Sequence, residues 1–303
     1  MPTLLIIGGT GFFGKSILDS FKRGLLNEFN ITKILVLARS TDKFKLEFPE
    51  LVTNGVELIN GDISTINTLP FSDYVIHAAT STNMNDYNDI RNNDGKNNIE
   101  KSVTNYCNIA NRYHYNSKIL YCSSGAVYGK QPLNIEKIGE DFVINENLER
   151  LQQDKRAYTL GKRFAEKEII NLGNSGLNVS IARCFTFSGK YLPKDQHYAI
   201  GNFIGQAERG ETIIVKSNGI VYRSYLDADE MVKSLIKILI NSTPLCPIFN
   251  VGSDRQISIH DLAYSIAQSF GVKVEINPLF IPTVIDRYVP NIDKLLTLNN
   301  NFR

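Results

Sequence analysis

Thr3-Leu4-Leu5-Ile6-Ile7-Gly8-Gly9-Thr10-Gly11-Phe12-Phe13-Gly14 runs the apolar stretch Leu4-Ile7 straight into glycines spaced Gly8-x-x-Gly11-x-x-Gly14. Leu4-Ile7 reads as a buried strand, and the pattern from about Phe12 to Arg23 as a helix. Glycines at such a turn let the backbone approach a pyrophosphate, whose charge is favoured at the helix N-terminus. The first gap is one residue longer than in the commonest dinucleotide fingerprint. A tight turn without a ligand is the alternative reading, and the strand before it and the helix after it argue against that. Gly8, Thr10, Gly11, Phe12, Phe13 and Gly14 are therefore candidate cofactor contacts.

Working outward, short apolar runs alternate with helical patterns as far as residue 185. Strands are expected at Lys33-Ala38, Val56-Ile59, Asp73-Ile76, Lys118-Cys122 and Val179-Ala182. Ile99, Val103, Tyr106, Ile109 and Ala110 recur at helical spacing, as do Tyr158, Lys162, Ala165, Ile169 and Ile170. This alternation predicts an α/β protein with a parallel sheet and helices on both faces. Beyond Arg183 the rhythm is less regular, with helices expected around Gly201-Arg209, Asp229-Ile240 and Ser258-Phe270. The Asn-rich patch Asn83-Asn98 reads as a loop followed by a helix start, and no well-marked amphipathic helix closes the chain.

Bulk chemistry excludes several classes. The 303 residues carry 33 basic and 31 acidic side chains, a net +2 with the basic residues scattered, which gives no case for nucleic acid. Cys107, Cys122, Cys184 and Cys246 are widely spaced, fitting neither a zinc pattern nor a disulfide framework, so no metal is expected and the usage fits reduced cytosol. No window approaches the ~20 apolar residues of a membrane span, and Met1-Pro2 leads straight into the first strand with no leader pattern. A cytoplasmic protein without membrane contact is the expectation.

Chemistry concentrates at Tyr158-Thr159-Leu160-Gly161-Lys162 and at Ser123-Ser124-Gly125-Ala126-Val127-Tyr128-Gly129. A tyrosine titrating near pH ~10 is a poor proton carrier at neutrality. A lysine at i+4 stands on the same helix face and is expected to lower that pKa. A serine hydroxyl can hold the same substrate oxygen. Together they suit proton transfer at an alcohol or ketone while hydride moves at its carbon.

At the end of the second strand, where an acidic residue would bind the ribose hydroxyls of NAD, the chain has Arg39-Ser40. A guanidinium beside a hydroxyl suits the 2′-phosphate of NADP. The alternative is an Arg39 that stacks on adenine or points to solvent. Asp62 and Ile63 follow the third strand, where Asp62 can accept a hydrogen bond from the adenine amino group. Ala78 and Ala79 follow the fourth, with small side chains where cofactor backbone contacts would lie. His77 reads as a strand-end packing residue.

From about Thr3 to Ile292 the order of motifs resembles the extended short-chain dehydrogenase/reductases of the NAD-dependent epimerase/dehydratase family. The motifs are Gly8-x-x-Gly11-x-x-Gly14, Gly61-Asp62, His77-Ala78-Ala79, Ser123-Ser124-x-x-Val127-Tyr128-Gly129 and Tyr158-x-x-x-Lys162. Arg183-Cys184-Phe185-x-x-x-Gly189, Arg223-Ser224-Tyr225 and Asn250-Val251-Gly252 continue the order. The resemblance implies a Rossmann-type doubly wound sheet over residues 1–184, with a segment near 220–255 returning to it. A smaller α/β domain over residues 185–303 would hold a nucleotide-diphosphate sugar. It further implies Tyr158 as acid/base, Lys162 on the nicotinamide ribose, Ser124 as the catalytic hydroxyl and Tyr128 as packing. Arg223 would clamp the diphosphate, Asn202 would contact nucleotide or phosphate, Arg287 is a second diphosphate candidate, and Thr186 is an altered sugar contact. A homodimer through the helices carrying Val103 and Lys162 is the implied assembly.

Departures from the family pattern bear on the reaction. Members that dehydrate the hexose carry an Asp-Glu pair after the catalytic Ser/Thr, and this chain has Gly125 and Ala126, which transfer no proton. With Arg39 suggesting a consumable NADPH, the expected activity is reduction of a nucleotide-diphosphate 4-keto-6-deoxy sugar such as dTDP-4-dehydro-6-deoxyglucose, making a deoxysugar for surface polysaccharide such as O-antigen. The alternatives are a 4-epimerase with retained NAD, a nucleotide-uronate decarboxylase and, from another class, a non-catalytic NADP-binding regulator. The segment Lys130-Lys155 reads as a solvated loop or a cover over the cleft.

Overall fold

Side chains that are apolar without alternation must be covered on both faces, and Leu4, Leu5, Ile6 and Ile7 have no accessible surface at all. A computed structural model describes residues 2–79, 94–144, 148, 151, 153–194 and 198–300. The expected loop across most of Asn83-Asn98 lies outside the described residues, and the following helix begins at Asp94.

The strands are β1 (Thr3–Ile7), β2 (Lys33–Ala38), β3 (Val56–Asn60), β4 (Tyr74–His77), β5 (Lys118–Ser124), β6 (Asn178–Cys184), β7 (Phe187–Ser188), β8 (Ile213–Val215), β9 (Ile220–Ser224), β10 (Leu226–Asp227), β11 (Ile248–Val251), β12 (Gln256–Ser258), β13 (Val274–Ile276) and β14 (Ile285–Tyr288). The helices are α1 (Phe12–Lys22), α2 (Thr41–Glu47), α3 (Asp94–Tyr113), α4 (Gln153–Asn174), α5 (Ala199–Glu208), α6 (Ala228–Ile240), α7 (Ile259–Phe270) and α8 (Asp293–Asn300).

Seven parallel strands form one sheet in the order β11-β6-β5-β4-β1-β2-β3. The order reverses between β1 and β4, and the carboxyl ends of strands at such a switch point form a crevice. One face of the sheet packs with α1, α6 and α8 through Ile17, Leu18, Leu235, Leu239 and Leu295. The other packs with α3 and α4 through Val103, Tyr106, Ile109, Ala165 and Ile169. The apolar faces of α3 and α4 are thus used within the chain.

The final helix corrects the sequence reading: α8 follows Pro290, and its Leu295 is 2% exposed against the α6 face. The described residues of Lys130-Lys155 also differ from a solvated loop. Ile138, Phe142 and Leu148 bury apolar surface, and Ile138 pairs with the Pro290 region through Ile138 N–H to Val289 O at 3.0 Å. Apart from the main sheet, β9 pairs antiparallel with β12 and parallel with β14. Near it, α5 and α7 share a separate apolar core with β8. Among the described residues no helix is long and apolar enough to cross a membrane.

Candidate active site

The Gly8 turn is built by close approach. Gly8 has φ +85°, and a Cβ there would sit 2.6 Å from Ala79 Cα. A Cβ on Gly14 would sit 2.1 Å from Gly9 O, so Gly14 lets the first turn of α1 pack closely on the glycine turn. Gly14 stands outside the described lining of the cleft. Gly8, Thr10, Gly11, Phe12 and Phe13 do line it, together with Ala78 and Ala79. The glycine turn at the N-terminus of α1 fits a dinucleotide pyrophosphate.

Arg39 is exposed and lines the same cleft, as do Asp62 and Ile63, whereas Ser40 stands before the first turn of α2 outside the lining. Burial works to raise the Asp62 carboxyl. The Ser64 amide and hydroxyl, at 2.8 and 2.7 Å, and the Arg39 charge outweigh it and hold the group below the usual carboxylate range.

β5 delivers Ser124 to the crevice, and the chain turns at once into a single 3-10 turn, Gly125–Tyr128. Ser124 Oγ caps that turn, accepting from Ala126 N–H at 3.2 Å. The turn is locked to α4 by Thr159 Oγ1 donating to Ala126 O at 3.2 Å and Arg163 Nε to Val127 O at 2.9 Å. That clamp brings Tyr158 against Ser124, whose hydroxyl interacts with the phenol.

Lys162 is 2% exposed, with Nζ donating to Cys122 O at 2.8 Å and Tyr121 Oη at 3.2 Å. Burial pushes its ammonium down to about 8. Its Nζ lies 5.9 Å from the centre of the Tyr158 ring. Burial is the largest influence on the Tyr158 phenol and pushes it above its ordinary value, with Ser124 working to lower it. This reverses the expected direction: the phenol is a stored proton rather than a ready phenolate. His77 is 1% exposed between the rings of Tyr106 and Tyr121, at 5.1 and 5.5 Å, and burial followed by the Lys162 charge pushes it down to about 3. It is a neutral packing group.

Thr186, Asn202, Arg223 and Arg287 line the same cleft, whose volume is about 1940 Å³. Thr186 Oγ1 donates to the Ser224 carbonyl. Arg223 Nη2 meets Asp286 Oδ2 at 2.7 Å, and Arg287 Nη1 donates to Leu133 O at 3.2 Å. Acidic residues in the described lining are Asp62 and Asp286 alone, and both are engaged as above.

Sequence reasoning missed two features. Tyr288 enters the site beside Ser124 from β14, a strand whose partly buried residues give no alternation to read. Beneath the site, Glu166 accepts from Ser123 Oγ at 2.6 Å and from Arg183 Nη2 at 2.8 Å. Arg183 Nη1 reaches Tyr128 Oη at 3.0 Å, and Tyr128 Oη donates to Asn250 Oδ1 at 2.8 Å. The hydroxyl assigned to packing thus joins a buried network, and the Ser123, Arg183 and Asn250 motifs meet in it.

A UDP-glucuronic acid decarboxylase of Arabidopsis thaliana is 28% identical over 277 residues, covering 90% of this chain and 76% of that protein. Among solved structures, a dTDP-glucose 4,6-dehydratase from Bacillus anthracis in complex with NAD superposes with TM-score 0.74 at 16% identity, over 99% of this chain and 91% of that one. The UDP-glucose 4-epimerase of Thermotoga maritima with UDP-glucose gives 0.76 at 16% identity, over 98% and 92%. With its family model matching residues 4–252, the chain belongs to the NAD dependent epimerase/dehydratase family of enzymes.

Proposed function

We propose that the protein reduces the C4 ketone of a nucleotide-diphosphate 4-keto-6-deoxy sugar, such as dTDP-4-dehydro-6-deoxyglucose. The observation that carries this reading is the surroundings of Ser124. Gly125 and Ala126 follow it, and the carboxylates of the described lining are held elsewhere by Ser64 and Arg223. Hydride transfer to a ketone needs one proton donor, whereas dehydration of the hexose needs further acid and base groups.

The nicotinamide supplies the hydride when the dinucleotide is bound in the Gly8 cradle. Tyr158 gives its proton to the ketone oxygen, and its raised pKa keeps that proton available at neutrality. Ser124 hydrogen-bonds the same oxygen. Lys162 stabilises the phenolate left behind. Arg223 and Arg287 bind the diphosphate, Thr186 the sugar and Asn202 the nucleotide. Product release would yield a deoxysugar donor of the kind used in surface polysaccharide.

Arg39 at the mouth of the cleft supports NADPH as the donor. Hydrogen bonds to charged groups contribute about 1.5–3 kcal/mol, so Arg39→Asp should weaken NADPH about 10- to 100-fold and leave NADH little changed. Equal efficiency of the wild-type protein with both cofactors would remove this preference.

Activity should also fall as pH rises through about 8, where Lys162 loses its proton. The sign follows from burial lowering the lysine and raising the phenol, so the lysine titrates first. A pH–rate profile flat to pH ~10 would contradict this assignment.

Decarboxylation of a nucleotide uronate is the second reading, supported by relatives 28–29% identical that carry that name. Incubation with NADPH and a nucleotide 4-keto-6-deoxyglucose, and separately with NAD and UDP-glucuronate, separates the two. Stoichiometric NADPH consumption with the first supports reduction; CO2 release from the second replaces it with decarboxylation. Interconversion of UDP-glucose and UDP-galactose without net cofactor consumption would indicate epimerisation.

A further inference from the structure

The turn that carries Ser124 into the cleft has little internal bonding to hold its shape. It is a single 3-10 turn, Gly125–Tyr128, of a helix type whose hydrogen-bond geometry is poor. Its shape nevertheless sets the Ser124 side chain, because Ser124 Oγ accepts from Ala126 N–H at 3.2 Å. A shift of the turn therefore moves the hydroxyl that holds the substrate oxygen. The middle of the turn is secured to α4, the helix of Tyr158, through Thr159 and Arg163. Its far end is Tyr128, after which the chain leaves through Gly129 at φ +77°.

Tyr128 is 3% exposed, and its ring packs with those of Phe142 and Phe185, whose centres are 6.1 and 6.2 Å away. Its hydroxyl stands in a network whose donors and acceptors are fixed. A guanidinium only donates, so the Tyr128 oxygen accepts from Arg183 Nη1 at 3.0 Å. Asn250 Nδ2 donates to the carbonyls of Ile138 and Asn291 at 2.9 and 3.1 Å, which orients the amide and turns its oxygen to Tyr128. The Tyr128 proton therefore goes to Asn250 Oδ1, at 2.8 Å. Asn250 N–H adds a bond to Glu140 Oε1 at 2.7 Å. Asn250 has no accessible surface, so bulk water does not stand in for a partner lost here. One hydroxyl thus joins the end of the Ser124 turn to β6 and β11. Through Asn250 it also reaches the strap around Ile138 and the chain that follows β14.

We propose that Tyr128 is a positioning residue for the reaction: its hydroxyl pins the end of the Gly125–Tyr128 turn to the sheet and so holds Ser124 Oγ in place beside Tyr158. The role rests on the reading that Ser124 and Tyr158 share the reacting oxygen. The hydroxyl carries it rather than the ring, since a phenylalanine would fill the same space beside Phe142 and Phe185.

The test uses Tyr128→Phe, Asn250→Ala and the pair, all on the full chain. Thermal melts without ligand read the link itself. Tyr128→Phe should melt about 2–6 °C lower, Asn250→Ala at least as much, and the pair should lose less than the sum. Losses that simply add overturn the link. Turnover is then followed on whichever of nucleotide 4-keto-6-deoxyglucose, UDP-glucose and UDP-glucuronate the wild-type enzyme converts. Tyr128→Phe should lower kcat about 10- to 100-fold, with KM and the dissociation constant of NADPH within about twofold. The same substitution should have almost no effect on kcat once Ser124 is Ala. A tyrosine that only stabilises the fold would lower the melting temperature and leave kcat unchanged, and that result overturns the proposal. An equal loss of kcat in the Ser124→Ala background also overturns it. A productive substrate other than the keto sugar overturns only the C4-reduction reading, and the same kcat ratios then decide the positioning role. Wild-type inactivity on all three would remove that reading together with the positioning role, while the link stands or falls on the melts.

Discussion

Replacing Tyr158 by Phe is expected to lower kcat by about 10²–10⁴, the usual contribution of a positioned general acid. The substitution removes one oxygen and leaves the ring, which packs at the edge of the apolar cluster shared by α3, α4 and the sheet. Folding and cofactor affinity should be retained, because the glycine cradle at the start of α1 is a separate part of the cleft. Lys162 cannot take over the donation. Its Nζ is directed to Cys122 O and Tyr121 Oη and lies 5.9 Å from the centre of the Tyr158 ring. Steady-state turnover, with dinucleotide binding measured by fluorescence, checks both halves. Turnover within about threefold of wild type would remove Tyr158 from the reaction.

Glu166→Ala carries the largest expected loss of stability. Glu166 and Arg183 are each 5% exposed and share several charge-assisted hydrogen bonds, with Ser123 donating to the same carboxylate. Removing one partner of a buried pair leaves an uncompensated charge, a cost of about 3–5 kcal/mol. For a chain of this size the melting temperature should fall by about 6–20 °C. Activity should fall too, since β5 carries Ser123 and Ser124 side by side into the turn that orients Tyr158. Urea unfolding of both proteins provides the measurement; a difference under about 1 kcal/mol would show that Arg183 finds another partner.

How much of this the sequence made legible depends on the range of each interaction. The strands of the main sheet announce themselves because burial on both faces leaves continuous apolar runs, and the Gly8 turn follows from local backbone chemistry. The α8 helix was missed because its apolar surface is small and is completed by α6, an element some 50 residues earlier. Tyr288 was missed for a similar reason: its place is set by the pairing of β14 with β9, between short strands with no alternation. Gly125 was read as a missing proton-transfer group, yet a Cβ there would sit 2.6 Å from the Tyr288 oxygen, a close approach that only the fold creates. The i+4 spacing of Tyr158 and Lys162 did place both on one helix face. Spacing cannot weigh burial against charge, and burial sets the direction of both titrations.

The central claim is a net transfer of hydride to C4 of a nucleotide-bound sugar. Its most direct test is incubation of the enzyme with NADPH deuterated at the transferable position of C4 and a nucleotide-diphosphate 4-keto-6-deoxy sugar, followed by NMR of the product. One deuterium at sugar C4 for each NADPH consumed is the predicted result. A product formed without net cofactor consumption, or one that carries no deuterium at C4, would contradict it.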